Sequence, residues 1–150
     1  MAKKQRIAPM EQDSILQNIG SALLGSAPND WEEVHFRYNG LIDITTMSLE
    51  VTKMDGSQER LNPPDSAWQL TQDLRSGMYE TRKGTWFSIH YIITRPARYS
   101  ADFDYDNEPP FPFPVASGSF ALDLQYFPRD DEHIPEWLRQ KLEEAAAEGQ

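Results

Sequence analysis

The chain has 150 residues, 39% hydrophobic and 25% charged, with four Trp, six Tyr and seven Phe; this length and aromatic load fit one domain with a real core and argue against intrinsic disorder. The net charge of -10 argues against nucleic-acid or anionic-membrane binding and favours a basic partner. There is no cysteine, which excludes a disulfide framework and thiolate zinc sites and suits a reducing, cytoplasmic compartment.

The start, MAKKQRIAPMEQD, is basic but lacks the apolar stretch of a signal peptide, and residues 1–10 read as a loose basic arm. No apolar run reaches the length of a membrane span. EQDSILQNIGSALLGSAP places Ile15, Leu16, Ile19, Leu23 and Leu24 at helical spacing and stops at Gly25, with Pro28 beyond. In WEEVHFRYNG, Val34, Phe36 and Tyr38 alternate with polar residues, and Asn39-Gly40 reads as a hairpin turn. LIDITTMSLEVTKM is a second strand, Asp55-Gly56 a turn, and SQERL a short third strand. NPPDSAWQLTQDLRSGMYE is a helix with Pro64 and Asp65 at its start and a stripe of Ala67, Leu70, Leu74 and Met78.

After Gly84 the period returns to two. Phe87, Ile89, Tyr91 and Ile93 share one face, and Trp86, Ser88, His90 and Ile92 share the other. TRPAR is a turn. In YSADFDYD, Tyr99, Ala101, Phe103 and Tyr105 oppose Asp102, Asp104 and Asp106. NEPPFPFP is irregular because proline donates no ladder hydrogen bond. ASGSFALDLQYF reads as a short helix, and EHIPEWLRQKLEEAAAEG as a terminal helix with Pro135 in its first turn, Trp137, Leu138 and Leu142 facing inward, and a frayed end over 143–150. The expected fold is α+β: one domain, an antiparallel meander packed with N-terminal, middle and C-terminal helices.

ADFDYDNEPPFPF carries the sharpest chemical signal. If the last two strands form a hairpin with Ile93 opposite Tyr99, then His90 meets Asp102, Ser88 meets Asp104 and Trp86 meets Asp106. A calcium loop is excluded, because Asn107 stands where glycine is needed and Phe113 where a bidentate Glu belongs. Alternate carboxylates on a strand also lie roughly 6–7 Å apart, too far to close easily on one ion. Paired-acid catalysis needs one carboxyl buried with a raised pKa, which a solvated face does not provide. His35 and His133 stand alone, and P-loop, GxGxxG, HExxH and GxSxG motifs are all missing. No cofactor is therefore expected. What remains is recognition: Asp102, Asp104, Asp106 and Glu108 steer a basic partner, with His90 and Trp86 beside them. Phe111 and Phe113 either cap the core or stand as anchors on the stiff segment that follows.

PNDWEEVHFRY after an amphipathic helix, GTWFSIHYIITRPARYSADFDYDNEP in the middle and DLQYFPRDDEHIPEWLRQKL near the end together resemble the YezG-like antitoxin (immunity protein) family, over roughly Ile15 to Leu142. The resemblance implies a cytoplasmic protein, without catalytic activity, that binds and neutralises a cognate secreted polymorphic toxin with nuclease or nucleotide-cleaving activity. It carries no residue-level interface; the acidic face above is read from this sequence alone. The alternative readings are a general protein-interaction domain without a toxin partner and, behind it, a metal-dependent hydrolase using His90 and the Asp strand.

Overall fold

The computed structural model describes residues 7–149. In chain order the elements are α1 (Pro9–Ser26), β1 (Trp31–Gly40), β2 (Thr45–Lys53), β3 (Gln58–Leu61), α2 (Asp65–Gly77), β4 (Ser88–Thr94), β5 (Arg98–Asp104), α3 (Ser117–Tyr126) and α4 (Glu136–Glu148). The strands form one antiparallel sheet of order β3-β2-β1-β4-β5. This is the expected α+β architecture.

Alternation in the strands decides what lies on each face. Val34, Phe36 and Tyr38 of β1, Leu49 and Val51 of β2, and Ile89, Tyr91 and Ile93 of β4 point to one side, where Ile19 and Leu23 of α1 and Ala67 and Leu74 of α2 cover them. Each of these large apolar side chains contributes about 1.5–3 kcal/mol by leaving water. A second, smaller cluster lies where α3 and α4 pack together: Leu41, Phe87, Phe120 and Leu138, flanked by Trp137, Phe111 and Val115.

The two clusters are bridged by an ion pair. Arg75 of α2 meets Asp123 of α3 through two hydrogen bonds of 2.8 Å and also donates from Nε to the Trp86 carbonyl at 2.7 Å. Its guanidinium lies over the Phe127 ring at 5.1 Å.

Several boundaries differ from the sequence reading. Asn39 and Gly40 remain in β1, paired with Thr46 and Thr45; the chain reverses at Leu41–Ile44, where Leu41 N–H donates to Ile44 O at 2.8 Å. The apolar Leu41 and Ile44 are held there by the second cluster, and that packing overrides the local turn preference of Asn-Gly. The Asp55-Gly56 turn stands as expected, with Gly56 at φ 87, a conformation glycine adopts without steric cost. Pro135 is the residue before α4 rather than within its first turn. Of the arm expected over residues 1–10, residues 1–6 lie outside the described residues; Ile7 N–H donates to Gly77 O at 2.8 Å, and Pro9 opens α1. At the other end α4 stays helical to Glu148.

Candidate functional site

Among the described residues, no helix lies over the face of the sheet opposite α1 and α2, and none of the residues on that face is buried. Its side chains run in rows across the strands: Ser48, Arg37, His90 and Asp102 form one row, and Thr46, Asn39, Ser88 and Asp104 the next. The expected pairing of His90 with Asp102 and of Ser88 with Asp104 is therefore present.

Trp86 does not join them. Phe87 N–H donates to Asp104 O at 2.8 Å while Ser88 is paired with the same Asp104. Two residues facing one make a β-bulge, which breaks the alternation of side chains. Trp86 consequently turns into the core at 0% exposure, edge-on to Tyr38 at 5.8 Å, with its indole N–H on the Met78 sulfur. It is a packing residue, and its expected place opposite Asp106 is corrected.

The four acids occupy three different settings. Asp102 is exposed on the sheet. Asp104 is engaged locally: its Oδ1 accepts from the backbone N–H groups of Asp106 and Asn107, and its Oδ2 from the Asn107 amide at 3.0 Å. Partial burial works against its charged form, but these hydrogen bonds prevail and hold its pKa below the ordinary value. Asp106 lies past the strand end, its side chain 83% exposed and 4.0 Å from Arg129; its carbonyl accepts from the Trp137 indole at 2.7 Å. Glu108 is exposed. The turn carrying these acids is thus pinned at its backbone while two carboxylates stay in water.

Phe111 and Phe113 divide the two roles open to them. Phe111 is half-buried against the second cluster, and Phe113 is 45% exposed, their rings stacked at 6.3 Å. Pro109, between the acids and Phe111, is buried and anchors the segment.

A polar chain beyond the expected pairs runs through the centre of the face. His35, expected to stand alone, contacts His90: its Nδ1 and His90 Nε2 are 2.9 Å apart, and its Nε2 bonds the Glu33 carboxylate. With Glu33 accepting from His35 Nε2–H, His35 Nδ1 accepts from His90 Nε2–H, so His90 donates to His35 and His35 to Glu33. The ring centroids lie 5.1 Å apart, so the two nitrogens meet nearly head-on, a geometry that accommodates a proton rather than a metal ion between them. Among the described residues no group of three His, Cys, Asp or Glu is placed to hold a metal ion. Burial lowers the His90 pKa, Arg37 and His35 add to that, and Asp102 and Glu33 oppose it. Arg37 is exposed beside them. The signal was present in β1, where Glu33, His35, Arg37 and Asn39 alternate with the apolar residues.

Arg129 supports the acidic turn from behind. Its side chain is 2% exposed, sits over the Phe87 ring at 4.8 Å, and donates to the carbonyls of Thr85 and Tyr105 at 2.9 and 2.8 Å. Burial lowers its pKa, with Asp106 and Asp123 acting in the other direction.

Compared with protein-family models the chain matches none, and no curated protein matches it. The resemblance to YezG-like antitoxins rests on the segments quoted above. No helix among the described residues is long and apolar enough to cross a membrane.

Proposed function

We propose that the protein is a noncatalytic immunity protein of the cytoplasm, which docks the uncovered sheet face and the adjoining acidic turn on one cognate toxin domain. The observation that carries this reading is the surplus of exposed acid on an ordered support. Asp102 stands on the sheet, Asp106 and Glu108 stand on a turn fixed by Trp137 and Arg129, and the exposed Phe113 follows on a proline-stiffened segment. Crowded like charge costs stability and is retained where it steers a partner, and an adjacent aromatic supplies a desolvated anchor. A nuclease or nucleotide-cleaving domain, the toxin class implied by the resemblance, has a phosphate-binding cleft whose charge complements this surface.

Co-purification of the tagged protein from its own cells, with mass spectrometry of the bound material, tests the reading. A stoichiometric basic toxin domain is expected, and Asp102→Lys, Asp106→Lys and Glu108→Lys together should slow its association at low salt while leaving the circular dichroism spectrum unchanged. A captured toxin indifferent to these reversals would move the docking surface elsewhere. Capture of a stoichiometric partner with no toxin activity would instead make the protein an adaptor.

A further inference from the structure

The sheet has two edges, and they are unequal. β3 is four residues long and runs into Asn62, Pro63 and Pro64; short length and proline are the usual means of making an edge unreceptive. β5 is seven residues long, contains no proline, and ends the sheet with no strand beyond it among the described residues.

Backbone direction along β5 follows from one bond. The Asp104 carbonyl accepts from Phe87, so the backbone groups of Asp104 face inward. By the period of two, those of Asp102 and Ser100 also face β4, and those of Tyr99, Ala101 and Phe103 point out of the sheet. Tyr105 continues the outward series, and its carbonyl is the one that accepts from Arg129 at 2.8 Å. The fold therefore closes the far end of this edge with a cation and leaves the stretch from Tyr99 to Phe103 unpaired by any strand.

From this edge we infer that β5 receives an extended segment of a partner protein as a sixth strand, and that the segment alternates basic with apolar residues. This rests on the docking reading above and adds its mode. The alternation is dictated by β5. Ser100, Asp102 and Asp104 flank the incoming strand on the uncovered face, where Lys or Arg opposes the carboxylates. Tyr99, Ala101 and Phe103, all half-buried against the main core, flank it on the other face, where apolar side chains of modest size continue that core. A second copy of this chain is a poor occupant, because self-pairing of β5 brings both sets of Asp102 and Asp104 onto one face at the shared edge, and like charges there repel.

The test uses the full chain and an eight-residue peptide of alternating Lys and Val, with a peptide of the same composition in scrambled order as control. Amide hydrogen exchange followed by NMR should show Tyr99, Ala101 and Phe103 exchanging in the free protein and protected by the alternating peptide, with weaker protection at high salt. Ala101→Pro should leave the fold intact, since the lost N–H is not part of the ladder, and should weaken the peptide by about tenfold or more, the worth of a backbone hydrogen bond and the fit around it. Equal protection by the scrambled peptide, or protection of these amides already in the free protein, would overturn the proposal. With a captured toxin the two readings separate. Loss of binding in Asp102→Lys but not in Ala101→Pro keeps the docking face and removes the added strand; loss in both supports the strand; loss in neither removes both.

Discussion

Arg75 and Asp123 form a bidentate ion pair of two 2.8 Å hydrogen bonds, with side chains 4% and 2% exposed, and so join α2 to α3 across the boundary between the two apolar clusters. Removing one partner strands a buried charge. Asp123→Ala is therefore expected to destabilise the protein by about 3–5 kcal/mol, and the double replacement Arg75→Met, Asp123→Leu to cost less than the single one. Urea unfolding of the two variants checks the order.

Gly20 sits mid-way along α1, where alanine ordinarily gains about 1 kcal/mol in helix propensity. Here a Cβ would come within 2.7 Å of the Tyr91 hydroxyl, which itself donates to Leu16 O at 2.6 Å. Overpacking outweighs propensity, and Gly20→Ala should lose about 1–3 kcal/mol. Adding Tyr91→Phe removes the clashing oxygen, so a double-mutant cycle should show the pair recovering part of the loss.

His90 gives the protein a pH dependence of definite sign. Its folded pKa is lowered by burial, then by Arg37 and His35, and so lies under the free value of about 6.5. Between the two values the unfolded chain binds more protons than the folded one, so this group's contribution makes stability rise with pH through that window and fall on acidification. NMR titration should place the His90 midpoint under that of a free histidine, with Nε2–H as the neutral tautomer. Arg37→Ala should raise the midpoint, and Glu33→Gln should lower it.

Asp102 and Asp104 are two residues apart and differ in what they do for the fold. Asp104 ties the turn through Asp106 and Asn107, so Asp104→Ala should cost about 0.5–2 kcal/mol, the range of a helix-capping side chain. Asp102→Ala should stay within about 0.5 kcal/mol of the parent. The Asp104 pKa is lowered on folding, so its contribution is complete above the unfolded carboxyl range and lost as pH falls through the folded value. Thermal unfolding at several pH values separates the two variants.

The two faces of the β4–β5 hairpin could be read from the alternation of aromatics and acids, because one buried face admits no slip by a single residue; a slip by two keeps the same faces, and only the pairing of Ile93 with Tyr99 in the structure fixes the partners. Trp86 could not be placed that way. The bulge opposite Asp104 is a matter of backbone pairing, and the alternating pattern gives no sign of an extra residue. Asn39-Gly40 misled for a related reason: a strong local turn signal yielded to Leu41 and Ile44, whose burial depends on α3 and α4 far along the chain. The Arg75–Asp123 pair joins residues 48 apart on two separate helices, and helical spacing within either one contains no trace of the other. His35 and His90 were each visible, but their contact became legible only with the diagonal between β1 and β4.

The indole of Trp137 at the start of α4 holds the Asp106 carbonyl, and Arg129, just before that helix, holds Tyr105. Removing the chain after Phe127 would leave the strands, α1 and α2 with their own residues, yet it would take Trp137 and Arg129 from the acidic turn and leave the Asp104 carboxylate and buried Pro109 to hold it. The terminal helix thus behaves as the handle of a clamp whose jaw is the turn. On the docking reading proposed above, loosening the hold of Trp137 and Arg129 would loosen the turn that carries Asp106 and Glu108 and register as a faster off-rate.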